Sequence, residues 1–266
     1  MTTANSAMHV PRLDQCTVLI AGGTAGVGLA TALCFAAAGT RRIALMGRSV
    51  ERGEAARRQV LAACPDAHVV FIAADANKAD QALRAVAEAT AALGAVDVLV
   101  NTTVGPFVPR LFHEIPIEDI EPMLVQQALA PLLMCRAVMP GMRERRGGAI
   151  INIASDAGKV ATPGESVIGG AMAGIIMFSR GLAIEAKRNG IRVNTLTPSL
   201  IEGTLTYDRV LADPFSAKLF GSAIKLAHLG VAQPDDLAGL IVFLASPQGA
   251  RITGQAISVN GGISAA

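Results

Sequence analysis

The chain has 266 residues, 52% hydrophobic and 17% charged, with 23 basic against 21 acidic side chains and a net charge of +2. Disorder is excluded, because it requires low hydrophobicity and high net charge. A charge of +2 over this length is no basic footprint for nucleic acid, and one large α/β domain, residues 1–266, suits the length.

The first ten residues carry no positively charged run, so no secretory leader is expected. Residues 15–40 carry no charge and imitate a membrane span, but Gly22, Gly23, Gly26 and Gly28 cut the stretch into pieces too short to cross a bilayer. It reads instead as a buried strand at 17–21, a glycine turn and a helix at 26–38. No membrane association is expected. Cys16, Cys34, Cys64 and Cys135 form no CxxC pair and read as buried reduced thiols of a cytoplasmic protein.

The turn runs Thr17-Val-Leu-Ile-Ala-Gly22-Gly-Thr-Ala-Gly26-Val-Gly28. Glycines at such a strand-to-helix turn let the backbone approach a pyrophosphate, whose charge rests on the helix N-terminus. Gly22, Thr24, Gly26, Val27 and Gly28 are therefore candidate cofactor contacts; a plain strand–helix turn is the competing reading. The next strand, 43–46, ends in Met46-Gly47-Arg48-Ser49. An NAD-binding turn usually carries an acid here for the ribose 2′-hydroxyl. Gly47 and Arg48 stand in its place, and a guanidinium suits a 2′-phosphate, which favours NADP(H); an ordinary solvated arginine is the alternative.

Further strands are expected at 69–73, 96–100, 149–153, 191–196 and 256–259, with helices near 50–63, 79–93, 117–144, 166–189 and 235–245. The first four strands are nearly continuous apolar runs, as strands covered on both faces should be. The last three admit Asn152, Arg192, Asn194 and Ser258. Alternation of this kind predicts a single-domain Rossmann fold, a doubly wound parallel sheet of about seven strands. Residues 199–232 show no strong period and read as an irregular substrate loop. Tyr207, the single tyrosine of a chain without tryptophan, lies in that stretch.

Several pieces together resemble the short-chain dehydrogenase/reductase family over essentially the whole chain. They are the glycine turn, Asp75, Asp97-Val-Leu-Val-Asn101, Ile151-Asn-Ile-Ala-Ser155, Asn189-Gly-Ile-Arg-Val-Asn194 with Pro198, and the ending 252–262. The resemblance implies a nicotinamide dinucleotide, a small-molecule substrate and a homodimer or homotetramer. It also implies that Asp75 and Ala76 lie near the adenine and Asn101 near the cofactor ribose. Ser155 matches the family's serine. Where its tyrosine and lysine belong, this chain has Ile168 and Met172; the helper asparagine is matched best by Gln127, and the family's Asn-Asn-Ala-Gly reads Asn101-Thr-Thr-Val. Loss of both groups is coherent, since positions i and i+4 share a helix face and a lone lysine would be a partly buried, unpaired charge.

The catalytic candidates are thus Ser155 and Tyr207, with Gln127, Ile168, Met172 and His113 as pocket candidates. Structural readings compete for each: a serine closing a strand end, a half-buried loop tyrosine, a lone histidine. Asp156 and Lys159 read as a surface turn pair. His9, His68, His113 and His228 are scattered and suggest no metal site. Three functions remain open: an NADPH-dependent reductase of an apolar carbonyl or conjugated substrate, whose proton comes from water, Tyr207 or the substrate; a non-catalytic NADP(H)-binding partner subunit; or a non-redox lyase or isomerase.

Overall fold

Alternate residues of the first strand, β1 (Thr17–Ala21), point to opposite faces, and both faces are covered, which is why its sequence is apolar throughout. Val18 and Ile20 enter one core layer; Leu19 and Ala21 enter the other. The structure is a computed structural model that describes residues 10–266; His9 and the leading residues read above lie outside them. Six more strands follow, all parallel: β2 (Arg42–Gly47), β3 (His68–Ala73), β4 (Val98–Asn101), β5 (Gly148–Ile153), β6 (Ile191–Pro198) and β7 (Ala256–Val259). Their order is β3-β2-β1-β4-β5-β6-β7, the doubly wound Rossmann arrangement expected from the alternation.

One face carries α1 (Gly26–Ala37), α2 (Val50–Ala63) and α9 (Pro234–Ala245), whose Phe35, Val60 and Ile241 are fully buried. The other face carries α3 (Ala79–Leu93), α5 (Ala130–Arg145) and the C-terminal half of α6 (Ser166–Ala186). Ile117–Arg145 and Ser166–Asn189 are long and apolar enough to cross a membrane by length and composition, yet residues from both pack into the core against the sheet. The uncharged 15–40 stretch divides at the glycine turn into β1 and α1.

Three expectations change. The helix near 117–144 is interrupted: α4 (Ile117–Leu124) passes into a π-helical turn, Val125–Leu129, before α5 begins. Residues 199–232 are not irregular, because they contain α7 (Leu205–Ala212) and α8 (Pro214–Ile224). Each has its own side-chain cap: Thr204 Oγ1 accepts from the Tyr207 N–H, and Asp213 Oδ1 from the Ser216 N–H. Finally, the polar residues of β6 do not weaken it. Buried Arg192 donates to the Ala245 carbonyl at the end of α9 and to the Gly249 carbonyl in the turn beyond it, at 3.1 and 2.9 Å. A cation there also opposes the negative end of the helix dipole. Burial lowers its pKa to about 10, which still leaves it charged at neutral pH.

Ala21 of β1, Asn101 of β4 and Asn152 of β5 are in register. They stand at the carboxyl ends of strands flanking the point where strand order reverses, the place where open α/β sheets bind ligands.

Candidate functional site

A cavity of about 460 Å³ opens above these strand ends. At one end is the turn between β1 and α1. Gly22 and Gly26 have φ of +84° and +48°, values that side-chain-bearing residues rarely adopt. A Cβ on Gly28 would stand 2.2 Å from the Gly22 carbonyl oxygen, so the loop closes this tightly only with glycine. The Gly22 and Gly23 N–H groups donate to the Met46 carbonyl, which ties the turn to the end of β2. No side chain caps α1, and Gly22, Thr24, Gly26, Val27 and Gly28 all line the cavity. The first N–H groups of α1 could thus receive an anion.

Beside the turn, Gly47 lies so close to Thr24 that a Cβ would come within 2.7 Å of its methyl group. Arg48 and Arg52 follow and line the cavity, both exposed and so able to meet a phosphate. Asp75 and Ala76 line it too; the Asp75 carboxylate accepts the Asn77 N–H and fixes its own turn. Thr103 Oγ1, on the same wall, is buried with no partner among the described residues. A glycine cradle, an uncapped helix start, paired guanidiniums and an orphaned hydroxyl together fit a dinucleotide phosphate.

The other half of the cavity is more apolar. Ile168 and Met172, one turn apart on α6, are 7% and 6% exposed and pack with Met123, Ala154 and Ile175. Ser155 follows β5 by two residues and lines the cavity, where its Oγ also accepts the Ala157 N–H at 3.2 Å. Gln127 reaches the wall from the π-helical turn, and its amide oxygen accepts the Gly105 N–H at 3.3 Å. Tyr207 enters from α7, half-buried against Leu200, Val210 and Phe220.

Two candidates stand elsewhere. Asn101 is buried beneath the cavity and does not line it: its Nδ2 donates to Asn152 Oδ1 at 2.8 Å, and Asn152 in turn donates to Ser179. This buried amide chain holds β4, β5 and α6 together. His113 stands beside Glu114 with its side chain 77% exposed, outside the cavity lining.

Asp156 and Lys159 are not a surface pair. Asp156 is 6% exposed and accepts from Ser258, Asn260 and Ser264, while Lys159 Nζ lies 3.7 Å away and donates to Ser258 at 2.6 Å. The residue after Ser155 therefore anchors the chain beyond β7 under the cavity. Cys16, Cys64 and Cys135 are buried and Cys34 half-buried, all free. Burial pushes the Cys16 and Cys135 thiols up to about 12, so both stay protonated.

Sequence reading missed Glu165, which lines the apolar half from the start of α6. Burial raises its carboxyl to about 7, against a weaker opposing hydrogen bond with the Thr162 side chain. A findable signal existed: Glu165 precedes Ile168 by three residues, one helical turn, and so shares its face.

Sheet order, switch-point cavity and phosphate cradle define a dinucleotide-binding oxidoreductase scaffold. The family model described as enoyl-(acyl carrier protein) reductase matches residues 21–264. The chain is 32% identical over 247 residues to a 3-oxoacyl-[acyl-carrier-protein] reductase of Synechocystis sp., covering 92% of this chain and 95% of that relative. It is 34% identical over 257 residues to a D-threitol dehydrogenase of Mycolicibacterium smegmatis, covering 94% of each. The crystal structure of levodione reductase superposes with a TM-score of 0.88 at 26% identity, covering 95% of this chain and 98% of that one. This chain belongs to the short-chain dehydrogenase/reductase family, whose members bind a nicotinamide cofactor and act as oxidoreductases on small molecules.

Proposed function

We propose that this protein is an NADPH-dependent reductase of an apolar carbonyl or conjugated substrate, working without the Tyr–Lys pair that the family resemblance leads one to expect. One observation carries the reading: a single cavity joins the phosphate cradle and Arg48 at one end to Ser155 and an apolar wall of Ile168 and Met172 at the other. The fold positions the two ends, so a ligand spanning them would present its reacting ring near Ser155.

Bound NADPH supplies a hydride. Gly22, Gly26, Gly28 and the start of α1 hold its pyrophosphate, Arg48 and Arg52 meet the 2′-phosphate, and Asp75 and Ala76 border the adenine. The Ser155 hydroxyl donates to the substrate oxygen and orients it. Ile168 and Met172 exclude water and favour an apolar substrate body over a polyol, because a buried hydroxyl without a partner costs free energy. Tyr207 and Gln127 close the pocket from opposite sides. On this reading the protein acts in the cytoplasm as a homodimer or homotetramer.

The test is oxidation of NADPH by the purified protein in the presence of a 3-oxoacyl thioester, levodione and a panel of ketones and quinone-like compounds. Turnover with an apolar carbonyl is expected, with Ser155→Ala lowering it. Tight NADPH binding with no oxidation across the panel would instead support a second reading. The buried apolar pair Ile168 and Met172 favours it: a non-catalytic NADP(H)-binding partner subunit.

A further inference from the structure

Reducing a carbonyl requires a proton as well as a hydride, and Ile168 and Met172 can offer neither a proton nor a charge. The cavity contains three carboxyl groups: Asp75, Asp156 and Glu165. Asp75 is committed to its own turn through the Asn77 N–H. Asp156 is committed to Ser258, Asn260 and Ser264 and faces Lys159. Glu165 is held less firmly, its side chain meeting only the Thr162 side chain. Its backbone starts α6, its neighbour Gly164 is held by the Arg110 N–H at 2.8 Å, and its side chain lies on the wall one turn ahead of Ile168.

We infer that the Glu165 carboxyl is the proton donor of this site, delivering its proton to the substrate oxygen that Ser155 orients. This rests on the reductase reading above. The balance is complete: the C=O π bond breaks, carbon takes the hydride as NADPH becomes NADP⁺, and oxygen takes the Glu165 proton. The carboxylate left behind is reprotonated by solvent water at the cavity mouth.

Charge supports the assignment. The other ionisable groups lining the cavity are Arg48 and Arg52 at the β2–α2 end, Asp75, Asp156 and Tyr207. Arg110, although its backbone holds Gly164, directs its charge at Asp213, which is held low mainly by the Ser216 N–H. No charged neighbour contributes to the shift of Glu165; burial does. A carboxyl that keeps its proton to about 7 is matched to neutral pH as a general acid. Tyr207 is half-buried against Leu200, Val210 and Phe220, and no lysine lines the cavity beside it.

The experiment uses the whole protein, NADPH and levodione or a 3-oxoacyl thioester as probes. Infrared difference spectra of the unliganded protein should show one protonated-carboxyl band that disappears with a midpoint near pH 7 and is missing in Glu165→Gln. Calorimetry should find NADPH bound equally by Glu165→Gln and wild type, while reduction falls roughly 10²- to 10⁴-fold. The wild-type rate should decline as pH rises through about 7, and the residual rate of the variant should not. Glu165→Ala should regain activity with added imidazole, whose cation still holds a proton near neutral pH, which a merely structural role would not allow. A Glu165→Gln protein that binds NADPH and reduces the probe within about threefold of wild type overturns the assignment, as does loss of the reaction in Tyr207→Phe alone. A wild type that binds NADPH but reduces no probe overturns the reductase reading itself, and the two failures are thereby distinct.

Discussion

A carboxyl raised by burial also ties folding to pH, and the direction follows from which state holds the proton more tightly. Glu165 is raised from 4.5 to about 7 by burial, so the folded chain binds its proton more tightly than the unfolded chain. Its contribution is complete below pH 4.5 and is lost as pH rises through about 7. The loss is on the order of 2 kcal/mol, discounted because part of the side chain meets solvent. Wild type should therefore melt at lower temperature at pH 8 than at pH 5 by more than Glu165→Gln does, and the variant should be the more stable of the two at pH 8. Thermal melts across that range check both. Arg48 makes a separate prediction. A charge-assisted contact contributes about 1.5–3 kcal/mol, so Arg48→Ala should weaken NADPH binding about 10- to 100-fold while leaving NADH nearly unchanged. An unchanged preference by calorimetry would remove Arg48 from the 2′-phosphate site.

At the scale of elements, β6 shows how buried polarity stabilises a strand instead of weakening it. Arg192 donates to the Leu244 and Ala245 carbonyls in the last turn of α9 and to the Gly249 carbonyl beyond it. Arg192→Met should cost about 3 kcal/mol in urea unfolding, because the buried carbonyls lose their donor. Such pairing is invisible in sequence, where an arginine in an apolar run only lowers the apparent period. The strands were legible because both faces of the sheet are covered. Even β4, expected at 96–100, departs only by starting at Val98 and ending at Asn101, and the Asp97 carboxylate just before it accepts the Thr17 N–H at 2.9 Å. The π-helical turn at Val125–Leu129 was illegible, because one extra residue in a turn leaves the apolar pattern on either side intact. α7 and α8 were legible in principle: Thr204 and Asp213-Pro214 are capping signals, and the weak period between them hid the helices. The tight turn between β1 and α1 could be read from its glycine spacing together with the strand before it and the helix after it. The inward turn of Asn101 and the buried network around Asp156 could not, since both depend on partners 51 and 102 residues away.

For the whole molecule, the outer face of α6 bears on assembly. Met177 and Ile184 are 64% and 61% exposed, and Gly170, Gly174 and Gly181 leave open space beside them. A face of large apolar and very small residues suits close packing against a second copy. Met177→Glu should shift the protein toward monomer in light scattering; an unchanged mass would show that α6 is not the contact. The same scale gives one more consequence, arising from where the only tyrosine sits. With no tryptophan in the chain and Tyr207 on the cavity wall, emission excited beyond the absorption of phenylalanine originates at a single point in the apolar half of the cavity. The protein carries its own optical probe of occupancy, and quenching of that one signal reads ligand arrival without any attached dye.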